Sequence, residues 1–98
     1  MAIEKKLLKS KPISKVTFSI DAPENEEVKL VGDFNNWDLE SHPLKKLKSG
    51  TFKITVDLPT ENQFEFKYVV DGIYTNDTEA DGLVHNAFSG EQNSVIIL

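Results

Sequence analysis

The sequence has neither cysteine nor arginine. The first absence excludes disulfides, thiolate chemistry and cysteine-ligated metals. The second, together with sixteen acids against eleven lysines and a net charge of −5, argues against nucleic acid, whose binding depends on neutralising phosphates. No apolar run approaches the roughly 20 residues that cross a bilayer, so no membrane partner is expected. The opening MAIEKKLLKSK lacks the uninterrupted apolar stretch of a secretion signal. Glycine-rich phosphate loops and nucleophile motifs are missing too, and no cofactor is expected. What 98 residues can build is one domain, burying about 65% of the unfolded chain's surface. The expectation is a small, soluble, cytoplasmic domain.

Charge is spread unevenly. Residues 1–16 hold five lysines and one acid, for +4, and residues 17–98 hold six lysines and fifteen acids, for −9. Residues 1–12 therefore read as a basic segment, either a solvated tail or an edge piece drawn to the acidic body. A membrane-surface helix built on Ile3, Leu7 and Leu8 would be too short and too weakly amphipathic. Residues 13–98 read as the domain proper.

Its dominant period is two. Val16, Phe18 and Ile20 alternate with Thr17, Ser19 and Asp21, the pattern of a half-buried strand. Pro23 and the polar run 24–27 close that strand, and Val28, Leu30 and Val31 start another that ends at Gly32-Asp33. Phe52, Ile54, Val56 and Leu58 oppose Lys53, Thr55 and Asp57, until Pro59. Phe64, Phe66, Tyr68 and Val70 oppose Glu65, Lys67, Val69 and Asp71. Asp71-Gly72 then reads as a tight hairpin turn into Ile73-Tyr74, and residues 94–98 form a last apolar strand. Residues 41–48 read as a short strand or a turn, and 76–93 as a long, weakly patterned connection of the kind that is functional or mobile. No window supports a long helix. The pattern predicts an all-β antiparallel sandwich of seven or eight strands.

Few residues single themselves out for chemistry. His42 and His85 stand outside any metal-ligand spacing, and the carboxylates alternate with lysine and threonine as solvated faces do. Residues 77–82 mimic the start of a helix–loop–helix calcium loop, but the twelfth position, which needs a bidentate Glu, is Phe88. The informative stretch is Gly32-Asp33-Phe34-Asn35-Asn36-Trp37-Asp38, a turn with the only tryptophan. Trp37 could fold back as a core anchor. It could equally offer a flat platform to the apolar face of a sugar ring while neighbouring amide and ammonium groups meet the hydroxyls. Spacing alone leaves both open.

Residues 32–38, 64–72, 76–81 and 90–95, in this order, together resemble carbohydrate-binding module family 48, the isoamylase-type early-set domain also found as the glycogen-binding domain of the AMP-activated protein kinase β subunit. The resemblance runs from about Lys15 to the C-terminus. It implies an immunoglobulin-like sandwich that binds α-1,4-linked glucans such as glycogen or starch without catalysis. It further implies stacking on Trp37 and Tyr74, and hydroxyl bonds from Lys67 and Asn93. Phe88 is a candidate substitute for a leucine that the kinase domain inserts into the glucan ring, a position that falls near Ser89 here. Glu91 replaces a threonine. The resemblance implies a module that is usually fused to a branching or debranching enzyme or set within a kinase subunit. Because this chain begins with Met and ends with a strand, the expectation is a free-standing module that could serve a separate glycogen-metabolising enzyme or kinase. The rival expectation is a protein-interaction sandwich that uses edge strands and has lost the sugar site. Each residue also has a plain structural alternative: Lys67 could pair with Glu65 or Asp71 on a solvated face, Tyr74 could cap the sandwich edge, and Asn93 could end a loop.

Overall fold

The computed structural model describes residues 2–8, 11–85 and 90–98. These form two antiparallel sheets packed face to face, the sandwich that the period-two pattern predicts. The first sheet holds β1 (Ala2–Leu7), β2 (Ile13–Asp21), β5 (Thr51–Pro59) and the two-residue β4 (Lys45–Lys46), in the order β1-β2-β5-β4. The second holds β3 (Val28–Gly32), β6 (Gln63–Val70), β9 (Gln92–Ile97) and β8 (Gly82–His85), in the order β3-β6-β9-β8, with β7 (Ile73–Thr75) paired to β6. The helical structure among the described residues is one 3-10 turn at Asp33–Asn35.

The residues of one parity meet between the sheets. Val16, Phe18 and Ile20 from β2, and Phe52 and Leu58 from β5, pack on Val28, Leu30, Phe66, Tyr68 and Ile96 from the second sheet. Phe18 is the hub: its ring lies 5.2 Å from that of Phe66 and 6.4 Å from that of Tyr68, both edge-on. Such pairs contribute roughly 0.5–1.5 kcal/mol each beyond their burial.

Among the described residues there are nine strands, two of which the sequence pattern did not predict. Ala2–Leu7 lies antiparallel along β2, as an edge strand. Its period is hidden because Lys5 occupies a position between Ile3 and Leu7 on the inward parity. The Lys5 ammonium is 2.6 Å from Asp81 and 3.0 Å from the carbonyl of Ile97, so a partner 76 residues away makes that charge tolerable. Gly82–His85, inside the weakly patterned connection, pairs with β9 from Gly82↔Val95 to His85↔Gln92.

The rest of that connection is held from inside. Tyr68 donates its hydroxyl to Asp77 at 2.6 Å, and the Asp77 and Glu79 amides donate to Ser94 and Asp77. Ser94 in turn donates to Asn76, whose amide reaches the carbonyl of Gln92. Desolvation, and then the Asp77 carboxylate, push the Tyr68 hydroxyl far above its ordinary pKa. Asp77, buried to 2% exposure, is therefore a structural acceptor rather than the first ligand of a calcium loop. No group of three or more acids or histidines among the described residues is placed to hold a metal ion.

The Asp71-Gly72 turn forms as the sequence predicts, with left-handed backbone at both residues (φ 47° and 85°). Its aspartate also braces the crossover between sheets. Asp71 accepts from the side chain of Asn25 at 2.9 Å and from the amides of Glu26 and Glu27. These bonds, led by the one from Asn25, hold its carboxyl below the usual range. A carboxylate lowered in the folded state stabilises the fold above its unfolded value, and that contribution disappears as pH falls through the lower folded value. Melting temperature measured from pH 7 to 2 should therefore fall below about pH 4. Asp71→Asn should lower it at pH 7 and flatten the acid slope.

Candidate functional site

The turn after β3 is built around a close approach. A side chain at Gly32 would put its Cβ 2.6 Å from the carbonyl oxygen of Glu65 and 3.0 Å from Cβ of Phe66, so only glycine lets β3 lie here against β6. Phe34 then turns into the core, its ring stacked 6.3 Å from that of Phe18. Asn35 pins the turn from within, accepting from the amide of Gly32 and donating to the carbonyl of Leu30. Asn36 and Trp37 follow with left-handed backbone, φ 55° and 58°. Asparagine tolerates that conformation. For tryptophan it is strained, by roughly 1–3 kcal/mol, and the surrounding bonds must hold it there.

Asp33 supplies one such bond. One carboxylate oxygen accepts the indole N–H of Trp37 at 3.3 Å, and the other accepts the backbone amide of Glu65 at 2.9 Å. Trp37 is thereby half-buried and tied to the edge of β6. Asp38 closes the loop by accepting from the amide of Glu40 and the hydroxyl of Ser41, and these bonds lower its carboxyl below the usual range.

Strand β6 carries the remaining candidates on its outer parity. Phe66 and Tyr68 face the core, so Glu65, Lys67 and Val69 face away from it. Across β3, Lys67 stands opposite Val31; across β7, Val69 stands opposite Tyr74. The other edge of β6 is shared: β9 pairs with residues 63–66 and β7 with residues 68–70, leaving Lys67 at the changeover. In β9, Ser94 and Ile96 take the inner parity and Asn93 and Val95 the outer one. Val31, Val69 and Val95 are buried yet lie outside the core cluster, so the outer face has an apolar floor of its own.

Register and alternation thus bring Lys67, Tyr74 and Asn93 to one face, with Trp37 attached at its border through Asp33. Their surroundings differ. Tyr74 is 51% exposed. Lys67 is 6% exposed, with Nζ 3.2 Å from Oε2 of Glu91. Asn93 is 3% exposed and donates its amide to Glu65 at 3.1 Å. Phe88, the fifth candidate, and Ser89 lie outside the described residues. The lysine's acidic partner is Glu91 rather than Glu65 or Asp71, because Glu65 is turned to Asn93 and Asp71 to the 25–27 loop.

The contacts of three acids, Asp33, Glu65 and Glu91, were not legible in the motifs. Asp33 was visible within the turn, but its bond to Glu65 spans 32 residues. Glu65 and Glu91 look like any solvated acid until the β6–β9 pairing sets them beside Asn93 and Lys67. Asp33→Ala should free the indole, shown by faster local depolarisation of tryptophan fluorescence. It should also cost roughly 1 kcal/mol of stability in chemical denaturation, the value of a net hydrogen bond.

Comparison with known proteins agrees with this architecture. Residues 6–89 match the profile of carbohydrate-binding module 48, described as the isoamylase N-terminal domain. The chain is 33% identical over 86 residues to the 1,4-alpha-glucan branching enzyme GlgB of Photobacterium profundum, covering 83% of this chain and 11% of the enzyme. Against the 1,4-alpha-glucan-branching enzyme of Saccharomyces cerevisiae it is 52% identical over 42 residues, covering 42% of this chain and 6% of that one. The chain therefore spans only about a tenth, or less, of the length of these relatives. With the profile matched across most of its length and its two sheets packed as a sandwich, this chain belongs to the carbohydrate-binding module 48 family.

Proposed function

We propose that the outer face of the second sheet holds an α-1,4-linked glucan of the glycogen or starch type and performs no chemistry on it. Trp37 and Tyr74 serve as platforms for the apolar faces of glucose rings, and Lys67 and Asn93 bond to ring hydroxyls. The observation that supports this reading is that Lys67, Tyr74 and Asn93 share one outer face, with Trp37 tied at its border, although these residues are up to 56 positions apart in sequence (Trp37 to Asn93). That face is neither the core nor a featureless polar surface. A half-exposed aromatic flanked by buried donors above an apolar floor matches a sugar, whose ring is apolar on its faces and hydroxylated around its rim. The names of the relatives support this choice of polymer: both are 1,4-alpha-glucan branching enzymes. Delivery of such an enzyme to its polymer, in the same chain or as a separate partner, is the role that fits a binding module.

The single tryptophan reports directly on the site. Titration with maltoheptaose or β-cyclodextrin should change its fluorescence saturably. Trp37→Phe, followed by calorimetry, should weaken binding by about tenfold, given the apolar area removed. Lys67→Ala should abolish the fluorescence response. A wild-type chain that gives no response, and migrates unretarded through a native gel containing glycogen, would show that the fold serves protein contacts instead.

A further inference from the structure

We infer that Glu91 sets the ligand class of this face, making it select uncharged glucans over glucans that carry a phosphate ester; this rests on the glucan reading above. A lysine ammonium on a protein face is by itself a good phosphate ligand, a compact cation with three donors. Here it is not alone. The Lys67 side chain is 8% exposed and its Nζ lies 3.2 Å from the Glu91 carboxylate, which is 68% exposed. An incoming ligand therefore meets the negative partner of the pair first. Other acids at this face add charge of the same sign and accept from neutral donors: Glu65 from the Asn93 amide, and Asp33 from the Trp37 indole.

The consequences differ for two kinds of glucan. A sugar hydroxyl both donates and accepts, so it can bond to the ammonium and the carboxylate together. A phosphate monoester carries about −1.5 to −2 charges at neutral pH and mainly accepts. It gains from Lys67 but is repelled by Glu91. At a separation of several ångströms in partly solvated surroundings, one such repulsion amounts to roughly five- to tenfold in affinity. The replacement of a neutral threonine by Glu91, which the family resemblance marks as a departure, thus gains a physical role.

The test uses the full chain, maltoheptaose and a phosphate monoester of maltoheptaose, with affinities from calorimetry and tryptophan fluorescence. Wild type should favour the neutral sugar by roughly five- to tenfold, and added salt should reduce that preference by screening the repulsion. Glu91→Gln preserves size on an exposed side chain and should bring the two affinities together. Glu91→Lys should reverse the preference. Circular dichroism and thermal melts verify that both variants fold. Should both variants bind maltoheptaose with an unchanged ratio between the two sugars, the role of Glu91 is overturned while the glucan site stands. If wild type binds neither sugar, the glucan reading fails and this inference with it.

Discussion

Everything in this molecule hangs on the alternation along β6. One parity places Phe64, Phe66 and Tyr68 against the core, and the other turns Glu65, Lys67 and Val69 to the opposite face. A slip of one residue would exchange the two sets, burying a lysine among aromatics and exposing the rings around Phe18. The core therefore specifies the register of the candidate site: burial of Phe66 and Tyr68 determines where Lys67 stands. Because β6 is flanked by β3 on one edge and shared by β9 and β7 on the other, its outer parity receives side chains from all three neighbours.

The turn from Gly32 to Asp38 extends this frame to the one tryptophan. A glycine without Cβ lets β3 reach β6, Phe34 plugs the loop into the core, and Asn35 and Asp33 saturate its backbone and indole donors. Two left-handed residues in succession are held by those bonds. An indole held in this way would lose little conformational freedom in the stacking proposed for it, which is how preorganisation favours binding. Its position is set by a carboxylate that also reads the backbone of β6.

Acids in this chain do different jobs, and net charge says nothing of the difference. Asp71 braces a crossover between sheets, Asp77 accepts from a buried tyrosine, and Glu91 sits against the buried lysine of the candidate site. A neutral polysaccharide needs no basic field to attract it, so an acidic body is no obstacle to the binding proposed here. Family membership and the shared outer face are consistent with each other. They rest on separate observations, one from similarity along the chain and one from strand register.

By itself the sequence determined the architecture class, the central strands, the tight hairpin turn at Asp71-Gly72 and the parity that turns Lys67 away from Phe66. These follow from local rules, period two and turn chemistry, that need no distant partner. Only the tertiary structure decided that Ala2–Leu7 is a strand, since its inward lysine is legible as such only once Asp81 and Ile97 are beside it. It also decided that Glu91 rather than Glu65 or Asp71 takes Lys67, and that Glu65 takes Asn93. The partners in those pairs are 24 and 28 residues apart, and β6 meets β9 only after the intervening chain has turned back on itself. Local preference specifies which way a side chain points; the pairing of distant strands specifies what it meets.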